Sequence, residues 1–181
     1  GQSVWDVDGL AKTAGTLKYC DDYEADEFGE DTMLHGAFVF APVPHARINA
    51  VDYSAAESAL GVARIVTHKD VPGLNKIGTW TPDQPVFCSD EVRFLGDFVA
   101  MVVADTPEHA RAAVKLVKID YEVLPAIFSP HEALAPGAPS VTTDYAKPGI
   151  PIAGHSAPES DGNVTLKLHI GMGLEGEKSE D

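Results

Sequence analysis

Residues 171–176 read GMGLEG, a GxGxxG pattern placed straight after a run of alternating apolar residues. Such a turn can lay its backbone N–H groups against a pyrophosphate, provided a helix follows to present its N-terminus and a second strand closes the unit. Within this chain only EKSED remains after the pattern, so a nucleotide-binding reading is the weakest of those considered. Seven histidines, at 35, 45, 68, 109, 131, 155 and 169, are the other obvious donors. None falls in HExxH or His-x-His spacing, and HEALA at His131 lacks its second histidine, so the set reads as scattered polar and capping positions rather than metal ligands. Cys20 and Cys88 form no CxxC and read as reduced thiols rather than a disulfide or metal pair. The run CDDYEADEFGEDT (20–32) carries seven acids. Calcium needs carboxylates alternating around a defined tight turn, which this run lacks, so it reads as a solvated loop. Asp120 and Glu122 flank Tyr121 and are expected on the outer face of one strand, where paired carboxylates serve solvation rather than acid–base work. There is no GxSxG elbow and no P-loop. The residues therefore nominate no catalytic, cofactor-binding or metal-binding position.

Composition narrows the partners. The 181 residues hold 13 Lys plus Arg against 28 Asp plus Glu, a net charge of -15, and 44% are hydrophobic. Such a chain is globular. Its charge repels nucleic acid and anionic lipid alike. No apolar run has the length of a membrane span. The first residues, GQSVWD, lack the basic and apolar regions of a signal peptide, so the protein is expected in the cytoplasm.

The elements that would position any site are clearer than the site. Phe38, Val39 and Phe40 suggest a strand stopped by Pro42 and Pro44, and RINAVDY suggests a second. Ser54 is expected to cap a short helix over 55–59, with Glu57 completing a capping box and Gly61 closing it. VARIVTH (62–68) reads as a strand. Residues 71–90, punctuated by Pro72, Gly73, Gly78, Pro82 and Pro85, read as a long loop around Trp80, which is either an interface anchor or the cap of a core edge. FVAMVVA (98–104) is continuously apolar, which predicts a strand buried on both faces. Thr106 and Pro107 open a helix whose Ala110, Ala113, Val114 and Val117 share one face. KIDYEVL then alternates Ile119, Tyr121 and Val123 toward a core. Strand, helix and strand within so few residues suit one right-handed crossover. A helical turn at 130–134 follows. Residues 136–162, rich in Pro, Gly and Ser, read as an extended linker, and NVTLKLHI (163–170) as a strand.

Several stretches, in order, resemble one family: VDGLAKTAGTLKYCDD (7–22), PHARINAVDYSAA (44–56), GVARIVTHKDVPGLN (61–75), DEVRFLGDFVAMVVADT (90–106) and IDYEVLPAI (119–127). Together they are similar to the N-terminal α/β-hammerhead domain of the molybdenum hydroxylase large subunit, the family of xanthine dehydrogenases, aldehyde oxidoreductases and carbon monoxide dehydrogenases. Asp97 stands where that family usually has Gln, and APVP precedes His45 where Arg-Ser-Pro is common. The resemblance implies an α+β fold, a mixed sheet with a crossover helix and an extended Pro-rich C-terminal segment. It implies a hammerhead domain over 1–135, a linker over 136–162, and over 163–181 a strand and the truncated start of the molybdopterin-binding domain. It places GMGLEG at that junction. It also implies that the full subunit binds molybdopterin and hydroxylates a purine or aldehyde with oxygen from water. The implied partners are the molybdopterin-binding domain of the same chain and iron–sulfur and FAD subunits or domains. The chain itself would be non-catalytic scaffold. The competing reading is a free-standing acidic interaction domain, and the sequence downstream of residue 181 discriminates the two.

Overall fold

The run FVAMVVA forms the middle strand of a three-stranded antiparallel sheet in the computed structural model, which describes residues 1–78, 84–141 and 163–164. The strands are β1 (His35–Phe40), β2 (Ala46–Asp52), β3 (Val62–Val66), β4 (Glu91–Val92), β5 (Phe98–Ala104) and β6 (Lys118–Val123). The α-helices are α1 (Gly9–Ala14), α2 (Ser54–Glu57), α3 (Pro107–Val114) and α4 (Pro130–Ala133). Sheet A has the order β1-β5-β3 and sheet B the order β4-β2-β6. Trp80, most of 136–162, and GMGLEG lie outside the described residues.

The core lies where α3 meets the inner face of sheet A. Thr106 accepts from the His109 N–H at 3.1 Å and Pro107 takes the first turn, so α3 starts where the sequence predicts. Its Ala110 and Ala113 are fully buried; side chains this small let the helix axis approach the sheet closely. They join Val39, Val92, Val99, Ala100 and Val102 in the packed interior. Asp97, in the turn before β5, is buried as well. Gly96 in that turn has φ +90°, and a Cβ there would meet nothing within 4 Å. Its backbone angle, not a close approach, is therefore what calls for glycine.

Four expectations change. The helix α3 does not cross over within one mixed sheet: β5 belongs to sheet A and β6 to sheet B, and every described strand pairing is antiparallel. Both edges of β5 are taken by β1 and β3, so β6 pairs with β2 instead. The strand β5 is not closed off on both faces. Ala100, Val102 and Ala104 are at 0% exposure on the inner side, whereas Phe98, Met101 and Val103 are only half-buried on the outer side. A bulge pairs Val39 with Ala100 but Phe40 with Phe98, which turns Val99 inward too. The cap of α2 comes from Asp52, whose Oδ1 accepts from the Ser54 N–H at 3.0 Å and the Ser54 hydroxyl at 2.6 Å, so Ser54 opens the helix rather than preceding it. Val123 is 66% exposed, unlike Ile119 and Tyr121, although Ala46 opposite it is buried.

Candidate functional site

Three places gather polar side chains, and none of them was singled out by motif. The first is at the end of sheet B. His45 precedes β2, and its Nδ1–H donates to the Pro125 carbonyl at 2.6 Å while Nε2 lies 2.8 Å from Glu91 Oε1. Arg93 donates from Nη2 to the other Glu91 oxygen at 3.0 Å and from Nη1 to the Val141 carbonyl at 3.0 Å. The Val141 N–H in turn donates to Asn163 Oδ1 at 2.8 Å, and Asn163 Nδ2 donates to the carbonyls of Ala133 at 3.0 Å and Pro139 at 2.9 Å. Beside this chain of bonds lies a partly open pocket of ≈ 40 Å³ lined by Pro44, Arg93, Pro125, Ile127 and Val141. It fastens the segment after α4 to sheet B. A charge-assisted pair backed by carbonyl acceptors is a strong tether, but no nucleophile stands beside a base in it.

The second place is the seam between the sheets. Asp97, 2% exposed, accepts from the Arg93 N–H at 3.1 Å and the Phe98 N–H at 3.2 Å. Burial, followed by a hydrogen bond to Asp97, pushes the Cys88 thiol far up. Burial, then Cys88 and Tyr53, push Tyr121 up to about 12. Both groups stay protonated at neutral pH, and a thiol held so is inert as a nucleophile. The Tyr121 hydroxyl is buried and has no hydrogen-bond partner among the described residues. The third place is an open cleft of ≈ 470 Å³ between β2 and the turn after β3, edged by Asn49, Tyr53, Glu57, His68, Lys69 and Asp70. Asp70 there is committed: it accepts from the Thr67 N–H at 2.8 Å and pairs with Arg64, and these hold its carboxyl below the usual range.

Among the described residues those weighed from sequence are kept apart; His155 and His169 lie outside the described residues. His35 lies on β1, His68 at the cleft, His109 2.6 Å from Asp105 at the start of α3, and His131 in α4. Cys20 is exposed and Cys88 buried, both as free thiols. Asp120 and Glu122 do share the outer face of β6, where Glu122 pairs with Arg47 at 2.5 Å and Asp120 accepts from Asn49 at 3.4 Å. In the acidic run, Asp22 and Glu27 accept from the N–H groups of Tyr19 and Glu24, closing two short 3-10 turns on the surface. No group of three metal-ligating side chains occurs among the described residues. No described helix is long and apolar enough to cross a membrane. The signal for the His45–Glu91–Arg93 and Asp97 clusters was present only as the blocks PHARI and DEVRFLGD. No short motif encodes them, because apart from the neighbouring Arg93–Glu91 pair their contacts join residues 46 positions apart or run to backbone.

Two small antiparallel sheets joined by α3 define an α+β module. The comparisons place it. Residues 14–125 match the family described as aldehyde oxidase and xanthine dehydrogenase, a/b hammerhead domain, and the chain belongs to that family. It is 44% identical over 137 residues to a probable xanthine dehydrogenase subunit of Bacillus subtilis, covering 76% of this chain and 18% of that one. It is 40% identical over 134 residues to xanthine dehydrogenase 1 of Arabidopsis thaliana, covering 74% of this chain and 10% of that one. Among solved structures it resembles the aldehyde oxidoreductase of Desulfovibrio desulfuricans with a TM-score of 0.67 and 35% identity, over 78% of this chain and 16% of that one. The chain thus spans less than a fifth of the length of each of these relatives.

Proposed function

We propose that this chain is the hammerhead portion of the large subunit of a molybdopterin-dependent hydroxylase, an oxidoreductase of the cytoplasm that acts on a purine or an aldehyde. The observation that carries this reading is the family match over 14–125, on a chain that covers so small a share of its relatives. The domain ends near residue 135, residues 136–162 link it onward, and 163–181 begin the molybdopterin-binding domain. That domain of the same polypeptide is its immediate partner, and iron–sulfur and FAD subunits or domains complete the electron path.

The cleft of ≈ 470 Å³ is a poor seat for molybdopterin: the carboxylates of Glu57 and Asp70 share its edge with His68 and Lys69, and Asp70 is already committed to Thr67 and Arg64. The cofactor belongs elsewhere in the subunit, and no catalytic step is assigned to this chain. Its part is to brace the catalytic domain, with the His45–Glu91–Arg93 tether fixing where the polypeptide leaves the fold. Two measurements test the reading. Sequencing the gene beyond residue 181 should reveal several hundred further residues with glycine-rich cofactor loops. Metal analysis of the purified 181-residue chain after reconstitution with cofactor should find no stoichiometric molybdenum. A stop codon directly after residue 181, or stoichiometric molybdenum in the chain, overturns it.

A further inference from the structure

We propose that the outer face of sheet A, centred on Phe38, Phe40, Phe98 and Met101, is the surface by which this domain docks against the later part of its own polypeptide. The proposal rests on the large-subunit reading and adds to it the face that makes the contact.

The argument starts from the strand pattern. A strand as uniformly apolar as β5 is expected to be covered on both faces. Its inner residues Ala100, Val102 and Ala104 meet that expectation at 0% exposure. Its outer residues do not. By register, Phe40 lies beside Phe98 and Phe38 beside Met101, on the face opposite Val39. Phe38 stacks on Phe98 with centroids 4.5 Å apart, Phe40 tilts against Phe98 at 5.5 Å, and Phe87 reaches Phe38 at 6.4 Å. The assembly is ordered, yet Phe40 remains 56% and Phe38 39% exposed. The turn carrying Leu95, itself 66% exposed, is tied to the end of β1 by the Gly96 N–H donating to Ala41 O at 2.9 Å. This extends the apolar surface past the strand. A preassembled aromatic cluster of this kind, whose rings each carry roughly 150–250 Å² of buriable surface, is the anatomy of an interface core rather than of a water-facing sheet.

The occupant follows from what surrounds such domains and from charge. In the two xanthine dehydrogenase relatives the matching stretch is 18% and 10% of the polypeptide. A small domain embedded in so long a chain buries its sticky face within that chain. A second copy is disfavoured, because two chains of net charge -15 repel on approach. Charge enters the face at its β3 edge, where Arg64, placed beside Val103 by register, is exposed and paired with Asp70. The partner surface is therefore apolar opposite the phenylalanines.

The test uses the full-length subunit, oxidised by hydroxyl radicals beside the 181-residue chain. Phe40 and Met101 should be oxidised about tenfold more slowly in the subunit, as residues of an interface core are, while the exposed Tyr19 should react alike in both. Phe40→Glu in the subunit should return Met101 to the rate it has in the chain, and Phe40→Leu should keep it shielded; if Phe40→Glu leaves no folded subunit, Phe38→Ser is read instead. Equal oxidation of Phe40 and Met101 in subunit and chain overturns the docking face and leaves the large-subunit reading standing. Oxidative footprinting of the chain alone adds two further arms. Shielding of Phe40 and Met101 in the monomer means the chain's own segments cover them, and shielding only in a Phe40-dependent dimer means a second copy does; either overturns the proposal. A gene that stops after residue 181 overturns the large-subunit reading itself.

Discussion

Sheets A and B have the same number of strands and the same antiparallel pairing, yet their exteriors are opposites. The outer face of sheet B alternates charge and amide: Arg47 with Glu122, Asn49 with Asp120, and Asp52 opposite Lys118. Each pair sits in water, where it contributes little stability but keeps the face soluble and blunts edge pairing. The outer face of sheet A carries phenylalanines and a methionine in the equivalent positions. The inner faces are alike, with Val92, Ile48 and Tyr121 of sheet B packed toward the same interior as Val39, Val99 and Val102 of sheet A. What separates the sheets is not their contribution to the fold but what each turns outward. The contrast teaches that fold and docking are written on opposite sides of the same strand, β5.

The comparison breaks most violently at Val99, which the bulge in β5 turns into the interior at 1% exposure. Val99→Asp puts a carboxylate where it has no partner and little water, at a cost of several kcal/mol. A domain of this size holds only about 5–15 kcal/mol in total. Urea unfolding should therefore show either no folded baseline or a midpoint far below the parent. A parent-like transition would mean that β5 does not lie against the core.

The seam between the sheets gives the next largest effect. Asp97 sits in the turn that carries the chain from β4 in sheet B to β5 in sheet A, and it satisfies the N–H groups of Arg93 and Phe98. Asp97→Ala should cost about 1–3 kcal/mol for each donor left without an acceptor. Asp97→Asn, which retains an acceptor oxygen, should cost less. Equal midpoints for Asp97→Ala and parent would show that the turn is held by its backbone alone.

Tyr121 probes the same seam from sheet B and adds a pH dependence. Its hydroxyl is raised from the usual 10 to about 12. Above pH 10 the unfolded chain loses that proton while the folded chain keeps it, so stability falls as pH climbs between the two values. Cys88 acts in the same direction, starting from its usual 9. Tyr121→Phe removes the tyrosine part of this loss and also removes a buried hydroxyl without a described partner. The variant should match or exceed the parent at neutral pH by up to about 1 kcal/mol and decline less steeply between about pH 10 and pH 12. Urea midpoints across that range, parent beside variant, give the two slopes. Identical slopes would place Tyr121 in water.

How much of this was legible in the sequence follows from range. The start of α3 is written locally, in Thr106 and Pro107, and was readable, whereas Val117, expected on its face, lies beyond its end at Val114. Readable too were β1, β2, β3, β5 and β6, whose apolar residues carry the pattern without outside help. Pairing was not legible. The crossover reading for α3 failed because it depended on which edge of β5 was free, and β1, some sixty residues earlier, occupies one. The cap of α2 was misplaced by two residues, since Asp52 competes with Ser54 for the same role and only backbone geometry decides. The polar clusters were invisible to motif reading because most of their partners are backbone: Pro125 and Val141 for His45 and Arg93, Arg93 and Phe98 for Asp97. The ordered family blocks contained these residues but not their roles.

The smallest expected effect tests the water-facing half of the comparison. Asp120 lies on the exposed face of β6, opposite Ala50 in the register, and its one described side-chain contact is a 3.4 Å hydrogen bond from Asn49. A bond that long on an open surface adds little, because water replaces it at almost no cost. Asp120→Asn keeps the shape and an acceptor oxygen while removing one negative charge from a chain whose net is -15. Lost pairing and relieved repulsion then act in opposite directions, and each is small. The unfolding free energy should stay within about 0.5 kcal/mol of the parent. Adding salt should narrow any difference, since whatever remains is a screened surface term. A loss of several times that size, undiminished by salt, would mean that the exterior of sheet B is buried as sheet A's is proposed to be, and the contrast between the two faces would fail at its quieter end.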